Sequence, residues 1–291
     1  MGASKKHHYL PQFYLKGFTD NEGNYYVFDK KTEEIRKTNP LNSFFVNNRN
    51  TSIMKEERFV LLEDIYAQFD SLTAPQLEKI RNSTIEDLDL ATEAFHRVKM
   101  FITQMYWRVP RSDEEFEKMI DKLTFADAGF DIKNKTTGKS VATEELQKQL
   151  KEADLFRKMY RIFLPLISYQ EKYRMNDFEN LRVYFRPNKF QLTSDNPLII
   201  KEFKDFRSLN EEMFFPISCD KIFVHTKQPK PKNLPNMFLL DLDMMQIQQA
   251  TRFVCCSNKE YLEYLINNLY SYSKNFNFEV QMKERLFSHF K

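Results

Sequence analysis

Glycine is scarce in this sequence, five residues of 291. Neither Gly-x-Gly-x-x-Gly nor a Walker-type phosphate loop occurs, which argues against a nucleotide fold built on glycine-rich turns. Cysteine is nearly absent. Cys219, Cys255 and Cys256 form neither a disulfide framework nor spaced zinc pairs, so they read as small core residues in a reducing cytoplasm. Neither sign of charge is in large excess: the net charge of +3 is too small to imply nucleic-acid binding by itself, and any basic footprint must be local. No apolar run approaches the roughly 20 residues needed to span a bilayer, so no membrane partner is expected. The basic opening Met1–Lys6 is not followed by a signal-peptide core, and Lys6 breaks the myristoylation pattern at Gly2; a cytoplasmic protein is expected.

Aromatic residues are plentiful. With 28 Phe and 14 Tyr they reach 15%, beside 42% apolar and 29% charged residues, the balance of a globular chain. No repeat period and no long low-complexity linker divides it. The expectation is one domain over 1–291, helix-rich over 1–176 and strand-rich over 177–291.

The densest stretch is His7-His8-Tyr9-Leu10-Pro11-Gln12-Phe13-Tyr14-Leu15. Two of the five histidines stand side by side, followed by a rigid Pro and an apolar-aromatic run. Tyr9, Phe13, Tyr14 and Phe18 can bury area, so the segment is expected to dock into the core and carry both imidazoles to a fixed place.

Further on, Tyr25–Asp29 and Glu33–Arg36 read as a hairpin around Lys30-Lys31-Thr32. Phe59, Leu62, Tyr66 and Phe69 recur at helical spacing and predict a helix over 55–71. Glu63 on that helix is either an inward-reaching site residue or a wet residue at the edge of the apolar face. Ser83-Thr84-Ile85-Glu86 reads as the N-cap of a long helix to about Val109. On it Glu93, Arg97, Gln104 and Arg108 stack at steps of four, seven and four. The last turns hold Met100, Phe101, Met105, Tyr106 and Trp107, so Gln104 and Arg108 are buried on most sides. A buried Arg must be paired. The two are therefore partners of a structural carboxylate or the binding side of a pocket. Lone His96, His225 and His289 are read as satisfied or exposed.

Residues 127–143 read as an exposed loop. A helix opens at Thr143 and runs through Phe163, with a kink or stop at Pro165; a polar stretch over Arg174–Asp177 closes the helical half. Leu181–Phe185 and Phe190–Leu192 then read as two joined strands. The second leads into Thr193-Ser194-Asp195-Asn196-Pro197, which is either a turn with local hydrogen bonds or a rigidly held polar cluster. Residues 214–218 and 221–225 predict another strand pair, 227–235 a basic Pro-rich connector, and 241–252 and 258–272 two short helices. The fold class expected is α+β: a helix-rich N-terminal and central region with a β-hairpin, then a small antiparallel or mixed sheet and C-terminal helices.

His7-His8-Tyr9-x-Pro11-x-Phe13-Tyr14-Leu15-x-x-Phe18, Gln104-x-x-x-Arg108-x-Pro110, Thr193-Ser194-Asp195-Asn196-Pro197 and Phe215-Pro216-Ile217-Ser218 occur in that order. Together, over about residues 5–260, they resemble an uncharacterised bacterial family, domain of unknown function 4238. Val109 stands where a small polar residue is common. Some members of that family resemble single-gene anti-phage defence proteins, so the resemblance implies a defence role by analogy.

Residue chemistry gives two readings. In the first, a phosphodiester-cleaving enzyme acts on RNA or DNA. His7 or His8 is its general acid/base, Asp195 orients a His or a divalent metal, Gln104 and Arg108 grip phosphate, and Ser194 and Asn196 support substrate. In the second, the chain is a non-catalytic sensor or binding module. The same residues then form a buried network that fastens the N-terminal segment, with Arg108 paired to Asp195. Nucleic acid is the partner the first reading implies, and a homo-oligomer is left open.

Overall fold

The computed structural model describes residues 5–54, 57–84, 92–124, 131–141, 143–172, 180–204, 211–229, 231–273 and 277–290. In chain order the elements are β1 (Lys6–His8), α1 (Gln12–Leu15), β2 (Tyr25–Asp29), β3 (Glu34–Thr38), β4 (Phe45–Asn47), β5 (Ser52–Met54) and β6 (Glu57–Phe59). Next come α2 (Leu61–Asn82), α3 (Thr92–Arg108), α4 (Asp113–Ile120), α5 (Glu144–Glu152) and α6 (Asp154–Lys172). The later part holds β7 (Leu181–Phe185), β8 (Thr193–Ser194), β9 (Ile199–Ile200), β10 (Met213–Ser218) and β11 (Lys221–His225). It ends with α7 (Asn236–Gln249), β12 (Phe253–Cys256), α8 (Lys259–Ser273) and α9 (Phe278–Ser288). This is an α+β fold, and its described sheets are antiparallel.

Two four-stranded sheets organise it, in the orders β7-β11-β10-β9 and β3-β2-β12-β8. Successive strand residues point to opposite faces. Val27 and Cys255 therefore join one apolar cluster with Tyr14, Trp107 and Phe215, while Phe28, Val254 and Cys256 join another with Phe214, Phe238 and Leu242. Adjacent Cys255 and Cys256 are both free and buried, each on its own face of one strand. A sheet covered on both sides explains why α7 is buried nearly all round, acidic Asp241 and Asp243 included. Asp243 lies in a closed network: Arg186 pairs with it at 2.7 Å, Tyr261 donates to it at 2.6 Å, and the Leu192 amide donates at 3.1 Å.

Several boundaries differ from the sequence reading. Glu57–Phe59 forms a strand paired to Ser52–Met54, so the helix expected over 55–71 starts at Leu61. It runs on to Asn82 because Thr73, Leu77 and Ile80 extend its buried stripe. The Ser83 hydroxyl donates to the Ile80 carbonyl and closes α2; the helix start expected at Ser83-Thr84-Ile85-Glu86 runs into residues 85–91, which lie outside the described residues. Thr143 does cap α5, its side chain accepting from the Leu146 amide at 3.2 Å. The break comes at Ala153, and α6 passes through Pro165 without stopping. Packing of Tyr160 and Leu164 into the core outweighs the single hydrogen bond that Pro165 removes.

Leu181–Phe185 and Phe190–Leu192 do not pair with each other. β7 pairs with β11, and the second segment, tied by Gln191 and Leu192 to Asp243, feeds β8 beside β12. The helix expected over 241–252 starts earlier, at Asn236, and stops at Gln249. Part of the expected 127–143 loop and all of 174–177 lie outside the described residues.

Candidate functional site

The N-terminal segment is a hub because its backbone and rings are claimed from every side. The Tyr9 amide donates to the Phe44 carbonyl at 3.1 Å. The Tyr14 hydroxyl donates to the Pro216 carbonyl at 3.0 Å and lies 2.7 Å from the Thr193 hydroxyl. Arg81 from α2 donates to the carbonyls of Phe13 at 2.7 Å, Tyr14 at 2.6 Å and Ile217 at 3.0 Å. Burial lowers that guanidinium to about 10, and the three carbonyls take up its N–H groups. Arg108 from the end of α3 donates to the His8 carbonyl at 3.2 Å. The four motif stretches thus converge on one strand and one turn of helix.

His7 is buried in β1 opposite Val46. Its Nδ1 accepts from the Asn50 amide at 2.9 Å and lies 3.2 Å from Glu63 Oε1, while the Asn50 side chain also donates to Glu63. Glu63 is thus tied to the histidine segment rather than left at a wet edge.

The His8 ring tilts against Phe45 at 5.6 Å, and its buried Nε2 has no hydrogen-bond partner among the described residues. Burial, resisted by the Pro40 and Leu41 carbonyls, holds His8 below its ordinary 6.5. As pH falls the unfolded chain therefore takes the proton first, so the stability of neutral His8 is whole above 6.5 and lost as pH drops towards the folded value. Between about pH 7.5 and about pH 5, wild type should lose more melting temperature than His8→Asn. Equal losses in the two proteins would refute this.

Arg108 is buried and salt-bridged, but not to Asp195. Its Nη1 donates to both carboxylate oxygens of Asp70 at 2.9 and 3.0 Å, and its guanidinium sits 4.4 Å over the Tyr66 ring. Burial raises the Asp70 carboxyl even against the pull of Arg108. Gln104 is buried one turn earlier on α3. The Arg108–Asp195 pairing of the module reading is corrected: α2 packs on α3 and delivers Asp70 to that position.

Ser194, Asp195 and Asn196 belong to a second cluster at the end of α7. Asp195 accepts from the amides of Thr251 at 2.8 Å, Arg252 at 2.7 Å and Phe253 at 3.0 Å. Burial raises its carboxyl and those three amides resist the rise. Both oxygens are spoken for, which fits the carboxylate poorly to the expected task of orienting a His or holding a metal. The Ser194 hydroxyl lies 2.8 Å from Gln246 Oε1, and Asn196 donates to the Gln249 carbonyl at 3.2 Å. Asn196 also borders a cleft of about 450 Å³, with Tyr106 and Thr251. Among the described residues no group of three His, Cys, Asp or Glu side chains converges in a way that could hold a metal ion, and no described helix is long and apolar enough to cross a membrane.

Behind Arg108 opens a smaller cavity of about 230 Å³. Leu62, Tyr66, Trp107 and Ile162 in its wall are buried. Five cationic side chains line it, Arg49, Arg108, Arg157, Lys158 and Arg161, against the three carboxylates of Asp113, Glu117 and Asp154. Arg49 holds Asp113 with two hydrogen bonds at 2.9 and 2.6 Å, and Arg161 meets the same carboxylate while donating to Ser112 at 2.7 Å. Burial pushes Asp113 up, but the two guanidiniums outweigh it and hold the carboxyl below its usual range.

Arg49, Arg161 and Asp113 escape the sequence reading. Arg49 sits in a stretch that reads as a plain loop, and Asp113 reads as a first-turn acid. Only the Arg157-Lys158-Arg161 spacing on α6 was a visible signal. Neither His7 nor His8 lines this cavity; Asn50, which does, stands between it and His7.

Comparison with curated proteins and with solved structures finds no match. A family model, by contrast, matches residues 6–260, from β1 to the start of α8 and across every motif described above. The chain belongs to the family described as protein of unknown function, DUF4238.

Proposed function

We propose that the chain is a binding module that recognises a phosphate-bearing ligand in the cavity behind Arg108. One observation carries this reading: five cations line one partly enclosed space with three carboxylates, and with Asp70 behind Arg108 counted one cation remains in surplus. Guanidinium groups are the preferred holders of phosphate, and in a water-poor cavity their pull is stronger than at the surface. The motif residues build the wall. Arg108 faces the ligand, Asp70 anchors Arg108, and the histidine strand is pinned behind Asn50. Nucleic acid is the partner class that fits, and anti-phage defence is the setting that the family resemblance implies by analogy.

Cleavage of the bound phosphodiester is the second reading. His7, with Glu63 at 3.2 Å, stands one residue behind the cavity wall and is the group to supply acid/base chemistry there. Arg157 and Lys158 lie at the rim and are only partly buried, so they can be changed with little harm to the fold. Binding of a labelled single-stranded RNA should weaken about tenfold or more in Lys158→Glu, with a shallower salt dependence. Unchanged affinity in a folded Lys158→Glu protein overturns the proposal. Incubating labelled RNA and DNA with and without divalent metal separates the two readings: cleavage lost in a folded His7→Ala protein establishes the enzyme.

A further inference from the structure

The same cavity narrows the ligand, an inference that rests on the phosphate reading above. We infer that it takes a terminal phosphomonoester, the phosphorylated end of a nucleic-acid strand or a free nucleotide, rather than an internal phosphodiester. Shape is the first argument. The inner wall is made of Leu62, Tyr66, Trp107, Arg108 and Ile162, all at or below 6% exposure, while Glu117 and Asp154 at the mouth are exposed. A pit with a buried floor admits an end, whereas a strand that continues in both directions needs an open groove.

Size agrees. Ligand pockets for drug-sized molecules run roughly 300–1,000 Å³. A space of about 230 Å³ holds a phosphate and part of the sugar or base behind it. Charge favours an anion without choosing between the two esters: Arg157 pairs with Glu117, Lys158 holds Asp154 at 2.9 Å and Asp70 holds Arg108, which leaves Arg49 and Arg161 against one carboxylate. Deeper in, Arg49 and Arg161 share the single carboxylate of Asp113; Arg49 also donates to the Arg108 carbonyl, and Arg161 to the Trp107 and Val109 carbonyls and the Ser112 hydroxyl. Tyr66, Trp107 and Phe116 add aromatic wall suited to the flat or sugar face beside the phosphate.

The test compares one labelled single-stranded RNA with a 5′-phosphate and with a 5′-hydroxyl, and adds adenosine monophosphate as competitor. The phosphorylated strand should bind about tenfold tighter or more, a difference of about 1.4 kcal/mol or more. Lys158→Glu and Arg157→Glu should erase that preference. Competition by the mononucleotide at similar affinity assigns the pit to free nucleotides; competition only at far higher concentration assigns it to strand ends. Equal binding of the two strands, weakened equally by Lys158→Glu, overturns the end preference and leaves phosphate recognition standing. No binding of either strand or of the nucleotide overturns both.

Discussion

Asp195→Ala should be among the most destabilising single substitutions in this chain, at about 3 kcal/mol or more. Its carboxylate is the acceptor for three consecutive amides, Thr251, Arg252 and Phe253, at 2.7–3.0 Å, which lead directly into β12. Each buried donor left without an acceptor costs about 1–3 kcal/mol. The raised carboxyl shows that burying the charge already takes back part of the gain, so the sum over three amides is a ceiling. Asp195→Asn keeps one oxygen and should fall between Ala and wild type. Urea unfolding gives the order directly. If Asp195→Ala lies within about 0.5 kcal/mol of wild type, the carboxylate is not the keystone of that loop. A severe loss of phosphate binding at unchanged stability would instead return Asp195 to the ligand.

That outcome bears on what spacing alone could tell. The Thr193–Pro197 stretch announced itself because hydroxyl, carboxylate, amide and Pro crowd the end of a strand. Its partners, however, are backbone groups 56–58 residues later, and backbone amides leave no mark in a sequence. Arg108 met the same limit from the other side. Its apolar neighbours demanded a carboxylate, and the one expected was Asp195; α2 packing on α3 supplies Asp70 instead. Where one periodicity governs, the reading was close. The β2–β3 hairpin and the β10–β11 pair follow from aromatic and branched runs between turn residues.

Helix ends were harder: the stop preference of Pro165 is outweighed by the core packing of Tyr160 and Leu164. The cavity was hardest of all. Of its charged lining only Arg108 was singled out; Arg49, Asp113 and the charged residues of α6 each read as ordinary, and only their meeting makes a cationic pit.

Arg108 and Asp70 supply the strongest check on whether the motif serves the fold, the ligand or both. Arg108→Ala removes the bond to the His8 carbonyl and leaves Asp70 as a mostly buried carboxylate without its cation. Breaking such a pair from one side costs about 3–5 kcal/mol. Asp70→Leu leaves the guanidinium without its carboxylate and should cost a similar amount. In the double variant Arg108→Met with Asp70→Leu neither charge remains, and well-packed apolar replacements of buried pairs are often close to neutral. The double variant should therefore be more stable than Arg108→Met or Asp70→Leu alone, so the coupling read by urea unfolding exceeds either single loss, about 3 kcal/mol or more. Simple addition of the two losses would mean that the pair contributes nothing as a pair. Because Arg108 also lines the cavity, stability and binding should separate in the double variant: the fold returns while affinity for the phosphorylated strand stays low. Recovery of both together would mean that Arg108 holds the wall and never touches the ligand, leaving Arg49, Arg157, Lys158 and Arg161 as the groups that do.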